Sequence, residues 1–596
     1  MLLGYLNALN FGVVIMTLTR SVSTVLIVSF LLAFTQSNLA QSSNRLADLS
    51  AVTDAQLANP AAEDWLIWRR TYDAQGFSPL KEIDKNNVSQ LGEAWRTELQ
   101  EGPNMATPLV HDGVMFLAST QDTVLALDAS SGEVLWSYEH RPTAFPSSKI
   151  GIALHGNKVI VPTQNMHVVA LEARTGAVIW DHAIEAPGNT PRPYSLRGAP
   201  LVANGMVLQG VTATMIPEGG FIVGLDLDSG DEVWRFHSVA RPGEPGGNTW
   251  NNLSLKDRSG GSVWVPGSYD PELDLAYYGT APTYDTAPLL YSLNEEGVSN
   301  EALYTNATIA LRPKTGELVW YFQHMPNDQW DLDWVFERQI VELNVDGAMR
   351  KVIVTAGKMA LYDALDAETG EYIDSFDVGI QNIVIAIDPI TGDKTINPIA
   401  IPNAEEANLL CPMANGGRNW PSASINPNTN MLYLPLAEIC MMFGPTSDAG
   451  GLLSTGVKIE PRPQPNSDGK FGRIQAINLQ TGEMAWNFRE VVPPASATLS
   501  TGGGLVFVGT MDNRFVAFDE TNGDKLWEKD LGDIPNSFPI SYAVDGKQYL
   551  AVVVGQPSPF HASIWMDMVN EFLGDQSPLL DHTRSGPAIV VYALSE

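Results

Sequence analysis

The sequence predicts an all-β chain closed into an eight-bladed β-propeller, with blade repeats docked by tryptophans and with long inserted loops. Three observations predict it: a short frame that recurs along the chain, a spacing that suits four-stranded blades, and a globular, loop-rich composition. The frame is an alternating apolar run, a polar residue, a two-residue gap, Ser/Thr/Asn-Gly, and a Trp four residues after the Gly. It occurs as TVLALDASSGEVLW (123–136), HVVALEARTGAVIW (167–180), FIVGLDLDSGDEVW (221–234), ATIALRPKTGELVW (307–320), RIQAINLQTGEMAW (473–486) and RFVAFDETNGDKLW (514–527). Alternation marks a strand, the glycine supplies the positive φ of a tight turn, and the next apolar run is the returning strand.

Two weaker copies complete the count. YDALDAETGEYID (362–374) keeps the turn without the Trp, and VSQLGEAW (88–95) keeps only the closing Trp. Repeat ends at 95, 136, 180, 234, 320, 374, 486 and 527 make eight units. Spacings near forty residues suit a propeller blade, and the long intervals 234–320 and 374–486 must carry insertions. IAIDPITGDKTI follows too closely on the previous copy to be a full blade. The C-terminal PAIVVYALSE is a strand without a blade of its own, expected to close the ring beside the N-terminal strands. The tryptophans read as packing residues between blades.

Composition sets bounds on function. The 596 residues are 44% apolar and 17% charged, with 51 Gly and 39 Pro. A formal charge of −33 argues against nucleic acid and anionic membranes as partners. Arg20, the apolar stretch Val22–Phe34 and small or polar residues ending at Ala40 have the layout of a secretory signal peptide, with an uncleaved anchor as the alternative. The expected organisation is therefore a signal peptide at 1–40, an N-terminal extension at 41–84 and a single propeller at 85–596. The mature protein would be periplasmic or secreted, with no membrane span. Cys411 and Cys440 are the only cysteines, and in an exported chain a lone pair reads as a disulfide. The sequence has no CxxCH, HExxH or GxSxG, which excludes attached c-type haem and the commonest zinc-protease and serine-hydrolase patterns.

A propeller collects its chemistry where loops converge at one end of the channel, so the inserted loops hold the candidates. In HMPNDQWDLDWVFER (324–338), Asp331 and Asp333 can serve as oxygen ligands to a hard cation, or one can take a proton from a hydroxyl. The alternative is a structural turn or an ion pair to Arg338. In GGSVWVPGSYDPELDLAYYGTAPTYDT (260–286), Trp264 can floor a planar cofactor or can be core packing. In 409–443 the cysteines bracket a Gly-Gly loop with Asn419 and Trp420, built to present an amide or simply stapled. Lys358, after a β-branched run, can face a quinone or carboxylate oxygen or be solvated. HASIWMDMVNEFLGDQ (561–576) has Ile564, Met568 and Phe572 at helical spacing, as a short lid helix or as packing.

Taken together, GFSPLKEIDKNNVSQLGEAW, the blade repeats, GGSVWVPGSYDPELDLAYYGT, NDQWDLD, CPMANGGRNWPSASINP, GGGLVFVGTMD and DGKQYLAVVVG resemble the quinoprotein alcohol dehydrogenases. These are eight-bladed propellers holding pyrroloquinoline quinone (PQQ) and a calcium or lanthanide ion. The resemblance implies Asp331 as catalytic base and Asp333 as the extra metal-binding aspartate of lanthanide-using members. It implies Trp264 under the PQQ ring, Lys358 near the quinone oxygens, Asn419 as a PQQ-contacting amide beside Trp420, and a structural disulfide at Cys411 and Cys440. The substrate would be a small alcohol, and electrons would pass to a separate acceptor such as a periplasmic cytochrome.

The chain also departs from that pattern. Pro282 stands where a metal-binding asparagine is expected, and Met215 falls near the column of the metal-binding glutamate, leaving Glu218 as the stand-in ligand. Thr280 and Asp285 are further substitutes. FPSSKIG replaces a vicinal cysteine pair, with Ile150 in place of an arginine. Two other roles therefore stay open: a degenerate, non-catalytic propeller, and a binding or scaffold protein of the outer-membrane assembly type.

Overall fold

The computed structural model describes residues 45–140, 148–188, 190, 193–403, 405–445, 453–558, 561–580 and 584–595. The segment read as a signal peptide lies outside them. Eight sheets of four or five strands follow one another along the chain. The first blade is Leu109–His111, Val114–Ser119, Thr123–Asp128 and Val134–Glu139, each strand antiparallel to the one before. The next six span 153–183, 201–237, 268–323, 339–377, 424–490 and 499–530. The eighth takes Ile540–Val544, Lys547–Val554 and Ala588–Leu594 and adds Leu91–Glu98 as its outer strand. Leu91 thus pairs with Leu594, and the C-terminal strand closes the ring beside the N-terminal one.

The recurrent Trp and Gly act as a pair across blades. The Trp residues lie on outer strands, and the indole N–H of Trp95, Trp136, Trp180, Trp234 and Trp486 donates to a carbonyl of the next blade. Trp136 reaches Ala173 at 2.9 Å, Trp234 reaches Pro313 at 2.8 Å, and Trp486 reaches Glu520 at 2.9 Å. The ring covers the next blade's turn glycine. A Cβ on Gly176 (φ +71°) would sit 2.8 Å from Trp136, and one on Gly370 would sit 2.5 Å from Trp320. The glycine is therefore required twice, for the left-handed turn and for the ring above it. The short copy IAIDPITGDKTI forms only the hairpin Val384–Ile387 and Lys394–Ile396, with Tyr372 over its Gly392 where a Trp covers six of the other turn glycines.

Residues 45–84 run round the inner edges of the ring and touch every blade. Trp65 exchanges backbone hydrogen bonds with Val110, Val52 pairs with Gly156, and the Tyr72 hydroxyl donates to the Val202 carbonyl. The amides of Tyr269, Ile340, Ile425 and Ala543 donate to the carbonyls of Tyr72, Asp73, Gln75 and Glu63. Phe77–Ser78 adds a parallel strand to Leu499–Thr501.

The insertions bear the candidate residues. Between the fifth and sixth blades and within the sixth, a small sheet pairs Asn408–Leu410, Ile439–Pro445 and Val457–Pro463. Within the eighth, Ala562–Leu573 is a helix that buries Ala562, Trp565, Met568 and Val569. This face is one step round from the predicted Ile564 and Phe572, which are half-buried, whereas Met568 is fully buried. Among the described residues no helix is long and apolar enough to cross a membrane.

Candidate active site

The loop 324–338 is fixed by its own polar side chains. Asp328 accepts the amides of Trp330 and Leu332, both at 2.7 Å, and the Asn306 amide at 2.8 Å. This bends the chain so that Asp331 adopts φ +64°. Trp330 donates to the Ala400 carbonyl at 2.7 Å, and Trp334 stacks on His324 with centroids 4.3 Å apart. The tryptophans brace the loop. Arg338 does not pair with the aspartates: its guanidinium binds the carbonyls of Trp334 and Phe336, both at 2.5 Å.

The partner of the two aspartates is Lys358. Its ammonium lies 3.0 Å from Asp331 Oδ1 and 2.8 Å from Asp333 Oδ1, and donates to the Asp331 carbonyl at 2.9 Å. All three residues are buried. The lysine sits between two strands of the fifth blade, Ala348–Ala356 and Leu361–Asp366. Its amide donates to the Asp333 carbonyl and its carbonyl accepts from Gly417, so loops from three blades are tied at one residue. Burial works against the ammonium charge, but Asp331 and Asp333 outweigh it, and Lys358 holds its proton above its ordinary pKa. Burial pushes the Asp331 carboxyl well above the usual carboxylate range, Lys358 pulls it back, and Asp333 pushes it further up. The solvated-lysine alternative is thus excluded.

Trp264 lies beside this cluster. Its indole N–H donates to Asp333 Oδ2 at 3.3 Å, its ring meets Phe336 edge-on at 5.7 Å, and the Arg197 guanidinium stands 5.7 Å above its centroid. Trp264 and Trp420 border one apolar cluster with Ile150, Phe336 and Phe538. Asn419 spends its amide locally: Nδ2 donates to the Asn415 carbonyl at 2.9 Å and Oδ1 accepts from the Trp420 amide at 2.8 Å. Its visible work is to hold the loop that presents Trp420. Cys411 and Cys440 form a disulfide behind that loop.

Four residues of the site were not singled out from the sequence. The Tyr284 hydroxyl hydrogen-bonds the Asp331 carboxylate, and burial, then that carboxylate, raises its pKa. Tyr284 also lines an open cleft of about 350 Å³ with Met215, Pro217, Arg258, Asp285 and Ser454. Lys149, next to Ile150, donates to the Leu196 carbonyl at 2.5 Å and lies 3.5 Å from Asp122; burial lowers its pKa to about 8. Arg197 lies beside it, half-buried. His561 abuts Trp420. Each is a single polar residue in a loop with no local pattern, so only the fold brings it to the cluster.

The structure does not bring Glu218 to the aspartates. It turns toward Arg241, 3.9 Å away, and its backbone carbonyl accepts from the same guanidinium at 2.8 Å. Pro282 offers only a carbonyl, already bonded to Gly261, and Thr280 Oγ1 donates to the Tyr304 carbonyl at 2.5 Å. Among the described residues, no group of three acidic or histidine ligands includes Asp331 or Asp333. A calcium-like ion takes six to eight oxygens. Two carboxylates already held by an ammonium, with Glu218 turned to Arg241, do not by themselves fit one.

PQQ, a planar quinone tricarboxylic acid, is a different matter. Aromatic walls at Trp264 and Trp420 and the cations Lys358, Lys149 and Arg197 suit such a molecule. A propeller with this acid–lysine cluster and these aromatic walls has the chemistry to hold a quinone cofactor.

Comparison with known proteins gives the family. Residues 65–396 and 385–550 match the PQQ-dependent glucose/ethanol/alcohol dehydrogenase β-propeller domain. The chain is 32% identical over 536 residues to the quinohemoprotein alcohol dehydrogenase ADH IIB of Pseudomonas putida, covering 86% of this chain and 76% of that one. Its fold superposes on quinohemoprotein alcohol dehydrogenase ADHIIG of Pseudomonas putida HK5 with a TM-score of 0.80 at 27% identity, over 92% of this chain and 83% of that one. A europium-containing methanol dehydrogenase matches with a TM-score of 0.79 at 25% identity, over 91% and 99%. The chain belongs to the PQQ-dependent alcohol dehydrogenase family.

Proposed function

We propose that the protein is exported and oxidises an alcohol to its aldehyde or ketone with bound PQQ. The observation that carries this reading is the buried Asp331–Asp333 pair clamped by Lys358 beside Trp264, in a chain of the PQQ family. When bound, PQQ supplies a two-electron acceptor for the hydride lost from the carbinol carbon. The chain's residues do the rest. Asp331, made more basic by burial, takes the hydroxyl proton, so the alcohol loses one proton and one hydride and balances as the carbonyl product. Asp333 orients the Trp264 indole, and Lys358 holds both carboxylates and presents a positive charge to developing negative charge. Trp264 and Trp420 wall the ring system, and Asn419 acts through the Trp420 loop. No step passes through a metal ion.

The electrons leave to a separate acceptor, such as a periplasmic cytochrome, as the name of the related 1-butanol dehydrogenase (cytochrome c) of Thauera butanivorans suggests. The second reading, a propeller that kept the frame and lost the reaction, is favoured by the incomplete metal shell. One titration separates them: PQQ added to the purified protein, followed by absorbance and by dye-linked oxidation of several alcohols. Saturable binding with activity that disappears in Asp331→Asn supports the enzyme. Absence of binding supports the degenerate propeller.

A further inference from the structure

His561 is 1% exposed, and among the described residues neither ring nitrogen has a hydrogen-bond partner. It precedes the helix Ala562–Leu573, with its ring 4.2 Å from Trp565 and 5.5 Å from Trp420, centroid to centroid. The indole N–H groups of Trp420 and Trp565 are also buried without partners. Four polar atoms on three touching rings are thus left unpaired in one place, whereas buried polar atoms are nearly always bonded. The helix shares an apolar cluster with Trp330 and Leu332, which flank Asp331. The rings therefore stand at the end of the site where the proton is taken. Burial, and then Lys358, keep the imidazole neutral, with a pKa near 3, so it has one N–H to give and one lone pair to receive.

We infer that His561, with the indoles of Trp420 and Trp565, binds a second, uncharged oxygen of the substrate, and that the preferred substrates are alcohols with a further hydroxyl group. A hydroxyl both donates and accepts, which matches a neutral imidazole flanked by two N–H donors. A plain alkyl chain would leave the same atoms buried and unpaired. Sites built to bond a hydroxyl discriminate strongly against analogues that lack one. The inference rests on the dehydrogenase reading and extends it to substrate class.

The test compares 1-butanol with 1,3-propanediol, in which a hydroxyl replaces the terminal methyl, on the PQQ-loaded protein. The expected kcat/KM ratio favours the diol by more than about tenfold. His561→Leu should bring that ratio to near one or below, and His561→Gln, which keeps a donor and an acceptor, should restore part of it. Trp565→Phe, which keeps an aromatic ring and loses only the N–H, should lower it independently, in case the leucine variant misfolds. A ratio near one in the native protein overturns the inference, and so does a high ratio unchanged in variants that still bind PQQ. Failure to bind PQQ or to oxidise either alcohol overturns the dehydrogenase reading instead, and this inference with it.

Discussion

Asp331, Asp333 and Lys358 form a unit whose parts have no separate meaning. Two carboxylates in a buried loop would repel each other, and the ammonium between them makes the arrangement tolerable. Replacing Lys358 with Met should leave the aspartates facing each other uncompensated and cut kcat roughly a hundredfold, a loss read in single-turnover oxidation after PQQ loading is verified. The base itself sets a pH dependence. Asp331 keeps its proton above the usual carboxylate range and can act only once that proton is gone. The kcat/KM of the loaded enzyme should rise with pH above the ordinary carboxylate range, and a flat or falling profile there would remove Asp331 from the base's role. At this scale the sequence was half legible. NDQWDLD pointed to the pair and the β-branched run pointed to Lys358, but their contact spans two blades and has no local signature. Glu218 illustrates the opposite case, since its nearness along the chain to the expected column did not bring it near in space.

Blades were the most legible level, because their rule is local. Strand alternation, a turn glycine and a Trp at fixed distance recur in six copies, and those six and the Trp-less 362–374 formed the hairpins they predicted, whereas 88–95 is a single strand. Less visible was the pairing between copies, in which one blade's Trp covers the next blade's Gly. That coupling can be measured. Gly176→Ala must fit a methyl 2.8 Å from Trp136 at a left-handed backbone position, whereas Gly156→Ala has the same sign of φ and nothing within 4 Å. The first should cost about 2 kcal/mol more than the second in denaturant unfolding, the size of an overpacked contact. Equal losses would mean that the turn conformation alone accounts for the glycine. The insertions were located by interval length, but their internal form was not, since hairpin 384–396 and helix 562–573 each depend on a docking partner elsewhere.

The whole molecule stores part of its stability in buried neutral histidines. Burial lowers the pKa of His324 to about 4 and that of His561 to about 3, against 6.5 in an unfolded chain. Above pH 6.5 both are neutral whether folded or not. As the pH falls below that value the unfolded chain takes up protons that the fold refuses, so stability is progressively lost from pH 6.5 down to about 4 and further for His561. The melting temperature of the cofactor-free protein should fall across that window, and His561→Leu should flatten the fall. An unchanged melting temperature between pH 6.5 and 4 would show that the fold accommodates the charge. The ring count and the closing strand were legible at this scale, because periodicity survives over long distances. The path of residues 45–84 was not, since an irregular segment that bonds to all eight blades has no period to reveal it.

The pairing of Leu91–Glu98 with Ala588–Leu594 also sets an order of events. The first of these strands is synthesised before the other seven blades and the second after them. Until the last is made, the eighth blade lacks two of its strands and the circle stays open. The pocket draws on the fourth, fifth, sixth and eighth blades, so it exists only after that closure. Loading of a large rigid ligand into it is then a final, post-assembly event, and folding must wait on its slowest, most distant contact.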